Sequence, residues 1–569
     1  MWAGNISSAA ASIHKRAGAG GGAHLGQGVR HPYGYWESPV TPEWLETLEA
    51  CNTIEDLFVD RVTGSAYYSE RRGGEDGKNV VRDLETHDVL FECPMSRHQE
   101  TWSLDSVQVI IPPPDVEGEQ VYWDAPRFSP DGQHLVLRLK WKSQFASEAW
   151  VWQTQVHETS EGHSLAFSNA SRVILGDPRV SSVSRPYWVN PSTLLISTDA
   201  LGHIVPWIFH IQDNAARPLV SPDFADGLVD PHACPLDGDH VLYAGFCKGR
   251  TQFHVLKISD GAYHKISTPY SFALRLRSIS PGKVIFMGST ETSPMAVVEM
   301  TVDTRDVLGT LSFVEIGTSQ RSASLPTIPA RSISTPTSFE LEHPRRPETI
   351  HATLYPPVNC RYSGGLPDEL PPVVVHIRGG PYRFHPQSLD WDIQAFTTRG
   401  FAYVSDVVRT APGDLAASPV VADADACAAA VQALGARAFV DPTRAIIYGQ
   451  GESAQMVFSA LADPRRLFVA GVADLRSRIT GGSADSASSS PQARSPVEMA
   501  ESIASPLLML LTPEPSSNTL TTEQAAAVAQ TMQKNGRRAE LHVIEPTPRA
   551  RSVRETWETV LSFCTSVLV

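Results

Sequence analysis

The sequence has no apolar run of the roughly 20 residues needed to span a bilayer. Its longest apolar stretch, Pro506–Leu511, has only the length of a strand. Basic residues are outnumbered, 47 Lys and Arg against 62 Asp and Glu, and the net charge is −15. Because no basic face is expected, neither nucleic acid nor a membrane is an expected partner. A chain of 569 residues is too long for one ordinary core, so we expect two or more domains.

Cysteine is sparse and lacks any C-x-x-C spacing. The seven cysteines are Cys51, Cys93, Cys234, Cys247, Cys360, Cys427 and Cys564. An odd, scattered set indicates reduced thiols in a cytoplasmic protein, not a disulfide framework or a zinc site. We therefore expect no metal and no cofactor. Residues 1–30 are rich in Gly, Ala and Ser and lack acidic residues, which favours a disordered tail but also fits a mitochondrial transit peptide.

Helical periodicity is missing from residues 51–325. Short strand-like runs such as His134–Leu139 and Val284–Met287 recur there between turn signals such as Ser129–Gly132. At ~40–45 residues per blade, this length predicts a six- or seven-bladed β-propeller. A pair of β-sandwiches is the less favoured interpretation. The preceding residues 31–50 hold aromatic and proline residues that should dock on a larger domain.

The pattern of residues changes in the C-terminal part of the sequence. Residues 326–345 are rich in Ser, Thr and Pro and are interpreted as a linker. From residue 346 buried strands alternate with amphipathic helices up to residue 569, which predicts a doubly wound, mostly parallel sheet. The strand Ala445–Tyr448 leads through a glycine turn into the helix Glu452–Ala462. This strand, turn and helix have the shape of the G-x-S-x-G nucleophile elbow of α/β-hydrolases.

Several sequence segments resemble those of the prolyl oligopeptidase family, in particular its acylaminoacyl-peptidase and dipeptidyl-peptidase-like branch. They include the N-terminal Tyr33–Thr41, the domain entry at Leu354–Asn359, the strand phrase Leu370–Pro381 and the strand Ser505–Leu511. The resemblance covers nearly the whole chain from about residue 31. It implies a β-propeller, a C-terminal α/β-hydrolase domain, and residues 31–50 as a strap that packs on the hydrolase domain.

The resemblance places the family serine on a glycine. Aligned without gaps from Asp441–Arg444 on one side, or from Leu467–Val472 on the other, the serine position falls on Gly451. The alternative nucleophile is Ser453, because Gly451–Gln455 resembles the Gly-Glu-Ser-Ala-Gly elbow of carboxylesterases. That alternative requires the turn to shift by two residues.

The other two members of the family triad are also missing. The family histidine would fall near Thr547 to Arg549, where there is none. The last histidine, His542, lies within a predicted strand and is interpreted as a packed core residue. The family aspartate would fall between Pro515 and Ser517, but no Asp follows Asp485, and Glu514 is the nearest carboxylate. Because a serine nucleophile needs a base, peptide hydrolysis is not expected.

The family's oxyanion phrase His-Gly-Gly-Pro is altered to begin with an arginine. Glycines there permit close backbone approach, and the arginine adds a permanent cation. It would bind an anionic group of a ligand or pair with a nearby carboxylate. Together with the elbow, this phrase supplies the candidate ligand-binding residues Arg378, Gly379, Gly380, Tyr382, Tyr448, Gln450, Gly451 and Glu452.

Three functions remain open. The first is a pseudoenzyme that binds a peptide, a metabolite or a protein in the cavity between propeller and hydrolase domain. The second is a repurposed non-hydrolytic enzyme of specialised metabolism, such as a cyclase or isomerase, with His385 among its polar groups. The third, weaker, is a serine esterase or peptidase that uses Ser453. The resemblance also leaves a homodimer through the hydrolase domain open.

Overall fold

The computed structural model describes residues 29–568 with internal gaps. The gaps are residues 61–62, 74–77, 94–110, 112–113, 115–119, 142–146, 160–161, 174, 176–181, 202, 222–223, 225–227, 308–310, 319–324, 344–347, 379–384, 411–423, 477–494, 514–519 and 546–548. Every structural statement below concerns the remaining residues.

The N-terminal strap comprises the short strand β1 (Val29–Arg30) and helix α1 (Pro42–Glu49). The helix begins where Thr41 caps it: the threonine hydroxyl accepts a hydrogen bond from the Trp44 amide, and Pro42 occupies the first turn. Trp44 and Leu45 are buried in a core that also contains Trp557 near the C-terminus. The strap therefore packs on the C-terminal domain.

Five four-stranded antiparallel sheets follow. The first comprises β2–β5 (Thr53–Val59, Ala66–Arg72, Lys78–Asp83, Val89–Cys93). The second comprises β6–β9 (Val121–Phe128, His134–Trp141, Ser147–Thr159, Gly162–Val173). The third comprises β10–β13 (Tyr187–Asn190, Thr193–Thr198, Val205–His210, Ala215–Pro218). The fourth comprises β14–β17 (Val229–Pro235, His240–Cys247, Arg250–Lys257, Tyr263–Ile266). The fifth comprises β18–β21 (Phe272–Ser280, Lys283–Ser289, Ala296–Val302, Leu311–Thr318).

The sheets are arranged as the blades of a propeller. Apolar clusters join the second sheet to the third, the third to the fourth, and the fourth to the fifth. The fifth packs back on the first, where Arg277 Nε of β18 donates to the Leu57 carbonyl oxygen of β2 at 2.8 Å. The propeller prediction is confirmed, but six or seven blades was too many: the described residues form five. Strands of 13 and 12 residues make the second sheet longer than equal blades would require.

The C-terminal domain is built on one eight-stranded sheet. Its strands are β22 (Thr337–Glu342), β23 (Thr349–Tyr355), β25 (Val373–Arg378), β26 (Ala402–Thr410), β27 (Ala445–Gln450), β28 (Ala470–Asp474), β29 (Leu507–Leu511) and β30 (Ala539–Val543), while β24 (Tyr362–Gly364) pairs with β1. The order is β22-β23-β26-β25-β27-β28-β29-β30, and all pairs from β26 onward are parallel. The predicted sheet is confirmed. Residues 337–342, interpreted as linker, instead form its first strand, because their alternating side chains pair with β23.

Helices cover both faces of this sheet. They are α2 (Trp391–Thr397), α3 (Ala424–Gly435), α4 (Ala454–Leu461), α5 (Pro496–Met499), α6 (Thr522–Lys534) and α7 (Arg549–Ser566). One buried layer includes α3, α4 and α6, and the other includes α1, α2 and α7. Within the part of the chain described, no helix is long and apolar enough to cross a membrane.

The two domains meet where a propeller turn enters a loop of the C-terminal domain. The Gln387 amide donates to the Gly249 carbonyl oxygen at 2.7 Å, and the Leu389 amide donates to the Thr290 carbonyl oxygen at 2.9 Å. Lys248 Nζ also donates to Glu340 Oε1 at 2.8 Å. Main-chain hydrogen bonds thus fix residues 387–389, shortly before α2, against the propeller.

Candidate functional site

The elbow is formed by β27, a short 3-10 turn over Gly451–Ser453, and α4. The strand and helix approach closely because Gly449 has no side chain: a Cβ there would lie 2.6 Å from the Ser453 carbonyl oxygen. Gly451 is at the tip, with a φ of +60°, and a Cβ added to it would have nothing within 4 Å. Glycine adopts this left-handed conformation without strain, no described atom lies over the tip, and the tip carries no functional group.

Ser453 lies two residues beyond the tip and is 2 % exposed. Its Oγ lies 2.7 Å from the Ile377 carbonyl oxygen and 2.8 Å from the Gln450 carbonyl oxygen, and it accepts a 3.1 Å hydrogen bond from the Gln450 amide. A hydroxyl has one proton, so that proton is directed to main-chain carbonyls. The side chain thereby ties the end of β25 to the turn.

A buried ion pair lies beside the elbow. Asp474, the last residue of β28, pairs in register with Gln450 of β27 and its side chain is fully buried. Arg476 Nε and one of its terminal nitrogens each donate to the Asp474 carboxylate at 2.8 Å. The other terminal nitrogen donates to Thr556 Oγ1 of α7. Gln450 Nε2 reaches Asp474 Oδ2 at 3.4 Å, so the pair contacts the residue that precedes the tip.

Tyr448 belongs to the core, contrary to its selection as a ligand-binding residue. It is 5 % exposed, and its ring stacks on His376 with centroids 4.7 Å apart. The reason is the two-residue period of a strand, which turns Tyr448 with Ile446 toward the layer of α2 and α7.

Two histidines considered from the sequence lie in other settings. His385 Nε2 is 3.0 Å from Asp390 Oδ2, and Asp390 also caps α2. His542 is on the edge strand β30, where its side chain is 43 % exposed and 3.6 Å from Glu540, so its interpretation as a packed core residue was wrong. Because β28 and β29 separate β30 from β27, His542 is ~14 Å from the elbow strand.

Several predicted residues lie outside what the structure describes. Gly379, Gly380, Tyr382, Glu514 and Thr547 are among them, as are the side chains of Arg378 and Glu452. Gln450, Gly451 and the main chain of Glu452 are brought together at the elbow. Arg549 begins α7 and pairs with Glu49 of α1 at 2.5 Å. Over the described ranges, no group of three or more His, Cys, Asp or Glu is placed to hold a metal ion.

Solved structures with the same architecture match nearly the whole chain. A puromycin-hydrolyzing peptidase of Mycobacterium tuberculosis superimposes with a TM-score of 0.70 at 18% identity, over 95% of this chain and 97% of that one. A puromycin hydrolase gives 0.68 at 17% identity, over 95% and 98%. Prolyl oligopeptidase B from Galerina marginata, bound to a 25mer macrocyclization substrate, gives 0.62 at 12% identity, over 91% and 80%. The chain has the prolyl oligopeptidase fold.

The likeness to the prolyl oligopeptidase fold rests on the structure. No protein-family model matches the sequence, and no curated protein matches it. At identities of 12 to 18%, the resemblance establishes the arrangement of propeller and hydrolase domain, and the functional argument depends on the side chains of this chain.

Sequence reasoning missed the ion pair of Asp474 and Arg476 and its partner Thr556. A signal was present: an acidic residue and an arginine two residues apart follow the buried run Phe468–Val472, at the carboxyl end of a parallel strand. Ligands of open α/β sheets bind at that end. Thr556 gave no such signal, since it lies 80 residues further along the chain.

Proposed function

We propose that the protein is a catalytically degenerate member of the prolyl oligopeptidase family. In this proposal it binds a peptide, a metabolite or a partner protein between its propeller and its hydrolase domain, and does not act as a serine peptidase. The observation that carries the proposal is the tip of the elbow, where a glycine with positive φ has no described atom within 4 Å of an added Cβ. That position has the backbone geometry of a nucleophile elbow without the nucleophile.

The geometry of Ser453 supports the same proposal. A serine nucleophile needs a base to take its proton and a path for the substrate carbonyl to reach its oxygen. Ser453 Oγ is buried and its proton is directed to two main-chain oxygens. None of the hydrogen bonds of this hydroxyl in the described structure involves a histidine. Ser453 thus acts as a structural tie between β25 and the elbow.

A fluorophosphonate probe tests the absence of a serine nucleophile, because it reacts with activated serines irrespective of their natural substrate. We expect no labelling of the full-length protein and no hydrolysis of puromycin above the buffer rate. A Ser453→Ala variant is the matched control. Labelling that disappears in Ser453→Ala would refute the proposal and establish an esterase or peptidase at Ser453.

The binding part is tested with ligands that relatives of this fold process. Puromycin and a short peptide amide are each titrated in a thermal-shift experiment. A ligand at about 100 times its Kd stabilises the folded state by about 2.7 kcal/mol. A shift with recovery of unchanged ligand supports a binding protein. Conversion of the ligand without fluorophosphonate labelling would instead indicate a repurposed enzyme.

A further inference from the structure

We propose that the side-chain carbonyl oxygen of Gln450 is the hydrogen-bond acceptor of the ligand site at the elbow tip. In this proposal it takes an N–H donor of the ligand, an amide or an ammonium group, and Asp474 is the positioning residue that orients it. The inference rests on the proposed function and specifies the chemistry of the ligand group that lies over Gly451.

The orientation of the Gln450 amide follows from its partner. A carboxylate accepts hydrogen bonds and donates none, so the group that faces Asp474 must be the amide nitrogen. The Nε2 to Oδ2 distance is 3.4 Å. Asp474 is fixed in turn, because Arg476 donates to both of its oxygens at 2.8 Å. Bidentate pairing of this kind holds a carboxylate in one geometry.

The Gln450 carbonyl oxygen is consequently turned away from Asp474. No other group in the described part of the chain donates a hydrogen bond to it, and it is not among the buried polar atoms that lack a partner there. Gln450 is half-buried, and it is followed by Gly451, where an added Cβ would meet no described atom within 4 Å.

The charges nearby include two arginines. The guanidinium of Arg476 is occupied by Asp474 and by Thr556. Arg378 of β25 pairs in register with Gln450 through its main chain, and its side chain lies outside the described residues. The group that the elbow presents is an uncharged oxygen acceptor beside a buried carboxylate. An N–H group satisfies that acceptor, whereas a carboxylate or phosphate group would meet it with another acceptor.

The preference for an N–H donor can be measured as the reaction rate of a cysteine introduced at the tip of the elbow. In Gly451→Cys the thiol faces the open space, and it is treated with methanethiosulfonates that carry an ethylammonium or an ethylsulfonate group. Rates at the introduced thiol are followed by peptide mass spectrometry and divided by the rates of the same reagents with free cysteine. The unaltered chain, with its seven native cysteines, gives the background.

We expect Gln450→Leu in the Gly451→Cys background to reduce the ratio of the ammonium rate to the sulfonate rate at least about threefold, the effect of one hydrogen bond. Gln450→Glu should raise the ratio. Gln432→Leu, at an exposed position of α3, is the matched control and should leave it unchanged. A ratio that is unaltered or increased in Gln450→Leu would overturn the inference.

If the Gly451→Cys variant does not fold, a second measurement on the unaltered chain tests the same inference. Crystals of the unaltered chain are soaked in methylammonium chloride, and density within hydrogen-bond distance of Gln450 Oε1 is expected. Its absence would overturn the inference. Neither result bears on the fluorophosphonate experiment, so failure of the acceptor inference and failure of the proposed function remain distinguishable.

Discussion

Asp474 and Arg476 illustrate how a buried pair stabilises a site without belonging to its chemistry. The Asp474 side chain is fully buried and that of Arg476 is 11 % exposed, and together they link β27, β28 and α7. A buried ion pair gains little over apolar residues of similar volume, but loss of one partner leaves the other charge buried without compensation. The pair therefore makes the elbow sensitive to single substitutions.

We expect Asp474→Asn to lower the free energy of unfolding of the hydrolase domain by about 3–5 kcal/mol. The double variant Asp474→Leu with Arg476→Met should recover part of this loss, because it removes both charges. Urea unfolding monitored by Trp fluorescence measures both. If the double variant were less stable than Asp474→Asn, the uncompensated arginine would not be the cause.

His254 makes the propeller sensitive to acid. Burial, and to a smaller extent Lys265 on the neighbouring strand, lower the pKa of its imidazole to about 4. The rings of Phe224 and Tyr263 pack against it. In the unfolded chain a histidine has a pKa of about 6.5, so between these values the unfolded state binds more protons. The stabilisation is complete above pH 6.5 and is lost as the pH falls toward 4.

Replacement of His254 by Phe should flatten this dependence. The difference between the folded and unfolded pKa values of His254 corresponds to about 3 kcal/mol over the full range, of which about 2 kcal/mol is lost by pH 5. Thermal unfolding between pH 7 and pH 4.5 provides the measurement. His264→Phe, at an exposed position of the adjacent strand, is the control and should keep the slope of the unaltered chain. Equal slopes in His254→Phe and the unaltered chain would exclude His254 as the source.

At the scale of single residues, the sequence predicted which residue lies at the tip of the elbow, but it did not predict how the neighbouring side chains are placed. Two ungapped flanks placed the tip of the elbow on Gly451, and flank spacing is preserved because a strand and a helix have fixed rises per residue. Tyr448, selected from its place in the sequence beside the turn, lies in the core because successive residues of a strand alternate between faces of the sheet. The contact of Arg476 with Thr556 was unpredictable, since it depends on how α7 packs.

At the scale of elements, the contact between the propeller and the hydrolase domain, here called the seam, includes a turn whose close fit requires a glycine. Gly249 has a φ of +84°, and a Cβ there would lie 2.9 Å from Gln387 Cγ and 3.1 Å from the His385 carbonyl oxygen. The turn between β15 and β16 thus enters the loop before α2 with no room for a side chain. Its fit determines how that loop is held.

Gly249→Ala should weaken the seam more than it weakens the propeller. The substitution costs about 1 kcal/mol for the positive φ and, in addition, displaces Gln387. Hydrogen exchange of the Gln387 and Leu389 amides should accelerate. Gly132→Ala is the matched control, because Gly132 has a φ of +72° but nothing within 4 Å of an added Cβ. Acceleration in both variants alike would show that strain within the propeller, not the contact, is responsible.

Most strands and helices could be predicted from the sequence, but the number of propeller blades could not. Short apolar runs between turn signals predicted the strands of the propeller, and buried strands in alternation with helices predicted the parallel sheet, because βα units have few stable arrangements. Blade count was wrong because it assumed equal blades, whereas β8 and β9 extend to 13 and 12 residues. Strand β22 was interpreted as linker because a short, half-exposed edge strand resembles a polar loop in composition.

At the scale of the whole molecule, the propeller is inserted within the hydrolase domain. The strap precedes the propeller in sequence, yet Val40, Trp44 and Leu45 are buried in the same layer as Phe396 and Trp557. Trp44 packs on Trp391 with ring centroids 4.6 Å apart, and its indole nitrogen donates to the Pro326 carbonyl oxygen at 2.9 Å. Both chain segments that enter and leave the propeller are thereby held at the hydrolase domain.

Truncation of Trp44 should therefore destabilise the domain that lies far from it in sequence. Trp44→Ala is expected to cost about 3–5 kcal/mol, because a large buried side chain is lost and a cavity remains. Hydrogen exchange should accelerate in β25 to β29 and stay unchanged in β14 to β20. Glu43→Gln is the control: it neutralises an exposed carboxylate that pairs with Arg554 at 2.9 Å and leaves the indole contacts of Trp44 in place. Acceleration confined to the propeller would contradict the role of the strap, because the indole contacts hydrolase residues and the start of the hydrolase segment.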